Sequence, residues 1–309
     1  MKNFINIKDI SFKDLRNIIS DARKRKIKRK KLSTLEVDKD LPLKGKLLVQ
    51  MFEKSSLRTR ISFYLAIRQL GGGALTLRPN ELHIGKGNES LPDTAQVLST
   101  YGDIFMLRTD SEKKIKEFAK YLKIPLVNGL SPQSHPAQIL SDIFTIEEIK
   151  KKKISHLNIC WIGDSNNVLN SLIEASVKFS FKLNIACPKN YKPNKKLLLW
   201  AKKNKGIIKI FHSSEEGIKG ADVVLTDKVI SMNDKVNKTQ KLKLFKNFQV
   251  NKKLMNKAKK NAIFLHCLPR GPEVSNEVFM SSKSKVWQQA LNRVHVQKSI
   301  LLYCLGRLR

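Results

Sequence analysis

Short apolar runs of four to six residues alternate along the chain with longer stretches at helical spacing. That alternation predicts parallel strands joined by helices. Leu47-Leu48-Val49-Gln50-Met51-Phe52 reads as a buried strand, and Ile61, Phe63, Tyr64, Leu65, Ile67 and Leu70 mark the helix after it, before Gly71-Gly72-Gly73. Upstream, Ile7 to Lys24 reads as a helix with Ile10, Phe12, Leu15, Ile18 and Ile19 apolar. Strands are predicted at 74–77, 103–109 and 124–130, and a helix opens across Glu89–Ala95, where Pro92 suits a first turn. The second half repeats the rhythm with strands at 157–163, 183–187, 221–227 and from 261 onward, a helix through Phe179, and an amphipathic helix from about Val286 to Leu305. The fold class expected is α/β, with two doubly wound parallel-sheet domains linked by interdomain helices near Ser141 to Lys153. The domains are expected at 1–142 and 143–309.

A chain of 309 residues has room for two domains, each with its own core. No run is apolar for long enough to span a bilayer, and Met1-Lys2-Asn3-Phe4-Ile5 carries no secretory pattern. The four cysteines (Cys160, Cys187, Cys267, Cys304) are scattered with no Cys-x-x-Cys spacing. They read as free thiols in a reducing cytoplasm and give no support to a structural zinc site. The formal charge of +34 invites a nucleic-acid reading. Yet the densest basic run, Arg23 to Lys31, holds no aromatic residue for base stacking, and Lys150 to Lys153 reads as a solvated linker. The charge is read as drift toward lysine on exposed faces, with salt-sensitive polyanion binding as a by-product and no specific nucleic-acid partner.

Candidate chemistry gathers where strands end. Ser55-Ser56-Leu57-Arg58-Thr59-Arg60 lies between the Leu47–Phe52 strand and the next helix. The free N–H groups and positive dipole of a helix start bind phosphate readily. Ser56 and Thr59 add hydroxyls, and Arg58 and Arg60 add planar forks that match an oxyanion. The plainer reading is a serine N-cap followed by two solvated arginines. Arg108 closes an apolar strand, where open α/β sheets bind ligands. His135 and Gln138 are three apart and can share a helix face; a neutral imidazole and an amide can hydrogen-bond the oxygen and nitrogen atoms of a polar ligand. No Gly-x-Gly-x-x-Gly follows the Leu157–Gly163 strand, which disfavours a dinucleotide site. Asp227, with Ser231 after it, can bind an ammonium group. Each has a plainer reading too: a surface arginine, a structural histidine, a capping aspartate, and inert packing for Cys267.

Ser56-Leu57-Arg58-Thr59-Arg60 resembles the Ser-x-Arg-Thr-Arg carbamoyl-phosphate signature of the aspartate and ornithine carbamoyltransferases. His135-Pro136-Ala137-Gln138 is similar to that family's His-Pro-x-Gln, and Gly163-Asp164-Ser165-Asn166-Asn167 to its Gly-Asp-x-Asn-Asn turn. Asp227, Ser231 and Met232 fit Asp-x-x-x-Ser-Met-Gly, and His266-Cys267-Leu268-Pro269 is the motif of the ornithine branch. These five ordered motifs extend the resemblance over essentially the whole chain. It implies carbamoyl transfer from carbamoyl phosphate to the δ-amine of ornithine, giving citrulline and phosphate in arginine biosynthesis. It also implies a homotrimer or a multiple of trimers, no metal and no cofactor.

By the same resemblance, carbamoyl phosphate would be held by Ser56, Leu57, Arg58, Thr59, Arg108, His135, Pro136, Ala137, Gln138, Cys267, Leu268 and Arg293. Arg293 would lie in the C-terminal helix, returning to the first domain. A neighbouring subunit would contribute His83, where many relatives carry glutamine. Asn167, Asp227, Ser231 and Met232 would hold ornithine, and Arg58, Arg108, His135 and Cys267 would be catalytic. Three departures stand out. A tryptophan common near Lys228 and Val229 is absent, Asn233 replaces the motif's glycine, and the connection through Arg270–Glu273 is short. A carbamoyltransferase for another amine (an N-acylated ornithine or putrescine) therefore remains an alternative. So does a catalytically silent basic homologue that binds polyanions.

Overall fold

The computed structural model of the chain describes residues 2–78, 89–230 and 237–308. It divides into two compact units, Met1–Phe144 with Leu291–Arg309, and Thr145–Ala290. Each is an α/β unit built on one parallel sheet, the class expected from the alternating pattern.

In the first unit the order is α1 (Phe12–Lys28), β1 (Leu47–Phe52), α2 (Leu57–Gln69), β2 (Gly73–Leu77), α3 (Leu91–Tyr101), β3 (Ile104–Arg108), α4 (Glu112–Tyr121), β4 (Leu126–Leu130) and α5 (Pro136–Lys150). Its strands lie side by side as β2-β1-β3-β4. Residues of both parities along β1 and β3 are buried, as a parallel sheet covered on both faces requires. On one face Val49, Met51, Phe105, Leu107 and Leu126 meet Ala95 and Leu98 of α3 and Ile115 and Phe118 of α4. Four buried apolar positions at helical spacing on α1 (Leu15, Ile18, Ile19, Ala22) anchor it. The helix starts later than its apolar pattern suggests, because Ser11 caps it by accepting from the Asp14 N–H at 3.0 Å. Phe12, expected in the core, is 54% exposed at the first turn.

In the second unit the order is β5 (Asn158–Ile162), α6 (Asn167–Lys178), β6 (Lys182–Ala186), α7 (Lys195–Lys203), β7 (Ile208–Phe211), α8 (Ser214–Ile218), β8 (Val223–Thr226), α9 (Lys238–Phe245), α10 (Lys252–Met255), β9 (Ile263–His266), α11 (Asn276–Phe279) and α12 (Val286–Cys304). The sheet runs β7-β6-β5-β8-β9. Cys160, Ile162, Ala186, Val224 and Phe264 pack in one cluster with Phe245, Phe248, Met255 and Phe279. The chain passes between the units inside α5 and inside α12, and α12 from Leu291 onward belongs to the first unit.

There α12 is held by charge. Asp38, in the loop after α1, accepts from Lys298 Nζ at 2.7 Å and Arg29 Nη1 at 2.8 Å. Ser299 Oγ donates to Asp21 of α1 at 2.6 Å. Lys298 has no exposed side-chain surface, and burial pulls its ammonium pKa down to about 8 although Asp38 opposes the shift.

Both sheets change winding direction once: between β1 and β3 in the first, between β5 and β8 in the second. At such a switch point the loops leaving adjacent strands part in opposite directions and open a crevice beyond the strands' carboxyl ends.

Candidate active site

The first unit places its predicted residues at its switch point. β1 ends at Phe52 and β3 at Arg108, paired in register. Glu53, next in line, donates its backbone N–H to the Arg108 carbonyl at 2.9 Å. Its carboxylate accepts from the Thr109 hydroxyl and the Lys114 ammonium. These bonds tie the ends of β1 and β3 together. Ser56 sits at the N-cap of α2 with an extended backbone, and its side chain makes no capping hydrogen bond. Its hydroxyl is therefore not spent on the helix start, and the plain N-cap reading does not describe it. Leu57 begins α2 with its side chain exposed, so it can offer a ligand its backbone N–H. Thr59 is buried, whereas Arg60 is exposed.

Arg293, buried on α12, reaches back to this point. Its Nη2 donates to Thr59 Oγ1 at 2.9 Å and its Nη1 to Gln138 Oε1. Gln138 Nε2 in turn donates to Asp142 Oδ1 at 2.8 Å. The amide is thereby oriented, oxygen toward the guanidinium, at the first turn of α5. Pro136 opens that helix, where its missing N–H costs nothing. Ala137 follows with no exposed surface.

His135, just before Pro136, is 4% exposed. Burial, then the positive charges of Arg293, Arg108 and Arg58, hold its pKa well below the ordinary histidine value. The imidazole is neutral at physiological pH. Three guanidinium groups thus bear on one neutral histidine, a concentration of positive charge that favours a nearby anion.

The second unit does the same with different chemistry. After β5, Gly163 (φ 138°) turns the chain; a Cβ there would lie 3.2 Å from Thr226 Oγ1, so glycine permits the approach of the β8 end. Asn166 caps α6, its Oδ1 accepting from Val168 N and Leu169 N at 3.0 and 3.1 Å. Its Nδ2 donates to Asp227 Oδ2 at 2.7 Å. Asn167 is the first residue of α6, at the positive end of the helix dipole.

β8 and β9 pair Thr226 with His266, so Asp227 and Cys267 leave the sheet side by side. The Cys267 thiol donates to Asp227 Oδ1 at 2.9 Å. His266 Nδ1 accepts from the Leu268 N–H at 2.8 Å, which leaves the proton on Nε2, 2.9 Å from Glu273 Oε1. Glu273 also accepts from Gly271 N, and these bonds hold its carboxyl below the usual range despite burial, the largest influence, which opposes them. Leu268 has φ 62°, a left-handed conformation uncommon for leucine, and precedes a cis bond to Pro269. The histidine–glutamate pair holds this turn in place. Ligand atoms of Asp227, His266 and Cys267 lie within 4.8 Å of one another, but both nitrogens of His266 are engaged in the turn.

His83, Ser231 and Met232 lie outside the described residues. Sequence reasoning missed Glu53, Asn166, His266 and Glu273, all of which act on site residues rather than projecting as ligands. Asn166 had a signal, an asparagine one residue before a helical stretch. Glu273 had none, because its partner is seven residues away across an irregular turn.

Residues 2–148 match the family "Aspartate/ornithine carbamoyltransferase, carbamoyl-P binding domain", and residues 155–304 match "Aspartate/ornithine carbamoyltransferase, Asp/Orn binding domain". The chain is 41% identical over 307 residues to the ornithine carbamoyltransferase of Agrobacterium fabrum, covering 99% of this chain and 98% of that one. It is 43% identical to that of Rhodopseudomonas palustris, covering 99% and 97%. Among solved structures, ornithine carbamoyltransferase from Pyrococcus furiosus superimposes with a TM-score of 0.91 at 38% identity, covering 99% of this chain and 97% of that one. The anabolic ornithine carbamoyltransferase from Campylobacter jejuni gives 0.89 at 37% identity, with both chains fully covered.

Proposed function

The chain belongs to the aspartate/ornithine carbamoyltransferase family, and from that premise we propose that it transfers the carbamoyl group of carbamoyl phosphate to the δ-amine of L-ornithine, giving L-citrulline and phosphate. One observation carries the assignment of substrates to the two units. The first unit's switch point gathers arginines around a neutral histidine, whereas the second unit's sets a helix start beside a carboxylate and a thiol. The former suits a phosphate and the latter an amino acid's charged groups.

In this reading the start of α2, with Ser56, Arg58 and Thr59, takes the phosphate and steadies it as leaving group. Arg108, His135 and Arg293 polarise the carbamoyl oxygen, stabilising the negative charge that develops as the carbonyl carbon becomes tetrahedral. His135, being neutral, does this by hydrogen bonding. Gln138, oriented by Arg293 and Asp142, fixes the carbamoyl plane. Asn167 holds ornithine's α-carboxylate and Asp227 its α-ammonium, while Cys267 and the Leu268 carbonyl aim the δ-amine. The amine's lone pair forms the new C–N bond, the C–O bond to phosphate breaks, and the amine gives up a proton. Free ornithine's δ-amine is mostly protonated at neutral pH, so it attacks from its minor neutral form.

We further propose a homotrimer, or a multiple of trimers, working in the cytoplasm in arginine biosynthesis. Leu57, Ile61 and Tyr64 expose an apolar stripe along α2, and Leu75 is exposed on the edge strand β2; this surface fits further copies of the chain. The four cysteines are free, which suits a reducing compartment. Among the described residues no helix is long and apolar enough to cross a membrane.

The test is phosphate release from carbamoyl phosphate with ornithine, N-acetylornithine, N-succinylornithine, putrescine and aspartate offered separately. Turnover confined to ornithine is expected. Turnover with another amine alone replaces the acceptor, and folded protein with no turnover on any of them overturns the reading.

A further inference from the structure

The second unit contains an ion pair, buried on its lysine side, to which the proposed reaction assigns no role. Lys241 of α9 is 3% exposed, and its Nζ lies 2.6 Å from Asp164 Oδ2. The ammonium sits over the Tyr191 and Phe245 rings, 5.3 and 5.9 Å from their centroids. Those rings pack edge to face at 4.9 Å. Asp164 belongs to the same turn as Asn167, and this turn is fixed at successive residues. The Trp161 indole donates to the Asp164 carbonyl at 3.1 Å, the Ser165 hydroxyl donates to the Tyr191 carbonyl, and Asn166 caps α6.

Packing alone does not account for a lysine here. A buried ion pair is expensive to desolvate, and an apolar side chain of similar volume would fill the space at less cost. Electrostatics does account for it. Among the described residues, two carboxylates stand at these strand ends, Asp164 and Asp227, with different partners. Asp227 accepts from an amide and a thiol, both neutral, and so retains its negative charge toward a ligand. Asp164, by contrast, faces the Lys241 ammonium directly, which offsets its charge.

We propose that Lys241 is a positioning and charge-compensating residue for the amino-acid substrate. By neutralising Asp164 it makes the Gly163–Asn167 turn tolerant of an α-carboxylate, while Asp227 stays negative for the α-ammonium. The pair thus sorts the two ends of a zwitterion, which uncompensated carboxylates on both sides would not do, since like charges repel strongly in a partly desolvated site. This rests on the reading that Asn167 receives the α-carboxylate.

The experiment measures KM for ornithine, KM for carbamoyl phosphate and kcat for K241M, D164N, the double variant and K241R. K241M is expected to raise the ornithine KM roughly tenfold or more, with kcat and the carbamoyl phosphate KM changing by less than about threefold. D164N/K241M should return the ornithine KM to within about threefold of the parent, because removing both charges restores neutrality. D164N alone and K241R should bind ornithine about as well as the parent. A double variant as impaired as K241M, or equal losses for both substrates, overturns the proposal in favour of a packing role. If K241M does not fold, D164N decides: a tenfold loss of ornithine affinity there is equally fatal. Parent enzyme without ornithine turnover would instead remove the functional reading on which the inference stands.

Discussion

Arg293 donates a hydrogen bond of 2.9 Å to Thr59, a residue 234 positions earlier in the chain. The contact joins the end of α12 that belongs to the first unit with the first turn of α2, and Arg293 also orients Gln138. Lysine has no fork with which to reach both partners. R293K and R293Q are therefore both expected to raise the carbamoyl phosphate KM by roughly 10- to 100-fold, with lysine rescuing little. Initial rates at varied carbamoyl phosphate check this; a near-normal KM in R293K would show that charge alone suffices.

Glu273 supports the turn carrying Cys267 and Leu268 through His266. E273A strands a buried imidazole N–H and the Gly271 N–H, at a cost of about 1–3 kcal/mol each. The expected outcome is a clear loss of stability in urea and a fall in kcat of about tenfold or more as the turn relaxes. E273Q keeps an acceptor oxygen and should lose much less of both. Equal behaviour of the two variants would mean that the carboxylate acts by charge.

His295, on α12, has its pKa pulled from the ordinary value to about 4, first by burial and then by Lys298, Lys26 and Arg29, with Asp38 opposing. In the unfolded chain it takes up a proton near pH 6.5; in the folded protein it does not until about pH 4. Between those values the unfolded state binds more protons, so stability falls as the solution is acidified across that window. His135 is shifted the same way and adds to the slope. H295Q should flatten the dependence of urea midpoint on pH between about 6.5 and 4. An unchanged slope would show that His295 is protonated in the folded state.

If ornithine attacks through its neutral δ-amine, kcat/KM for ornithine should climb about tenfold per pH unit above neutrality until a second group intervenes, because the ammonium pKa is around 10. His135 is already neutral in this range and cannot be the source of the rise. A flat profile under conditions where chemistry limits the rate would contradict the mechanism.

The strand ends and their chemistry were legible in the chain because apolar runs are short, contiguous and followed at once by polar residues. Thus Arg108, Asp227 and Cys267 stand just where the apolar runs give out. The basic run Arg23–Lys31 was less legible. Read as part of a drift toward lysine on exposed faces, it is partly structural: Arg29 and Arg25 are bound to Asp38, and Lys26 donates to Asn292 at 2.7 Å. Composition reports the number of charges but not which way a helix turns them, and Asp38 lies outside the run. Strand β7 went unread because Ile208-Lys209-Ile210-Phe211 is too short to separate from a loop by periodicity, and it sits at a sheet edge, where burial writes a weaker pattern. Glu53 stood within the most informative stretch of the sequence, yet its role depends on Thr109 and Lys114, both supplied by a distant part of the chain.

The split of α12 between the units also sets an order of events during synthesis. The first unit is discontinuous: all of Thr145–Ala290 must be made before Leu291–Arg309 can join it. At ribosomal speeds of about 5–20 residues per second, this leaves the nascent amino-terminal segment waiting for roughly seven to thirty seconds. During that interval Asp38 lacks Lys298, Asp21 lacks Ser299, and Thr59 and Gln138 lack Arg293. The second unit, whose chain is continuous, is free to complete itself first. A protein arranged in this way completes the Arg293–Thr59–Gln138 cluster only after Arg293 has left the ribosome, so a chain truncated shortly before Arg293 would lack that cluster however well its second unit had folded.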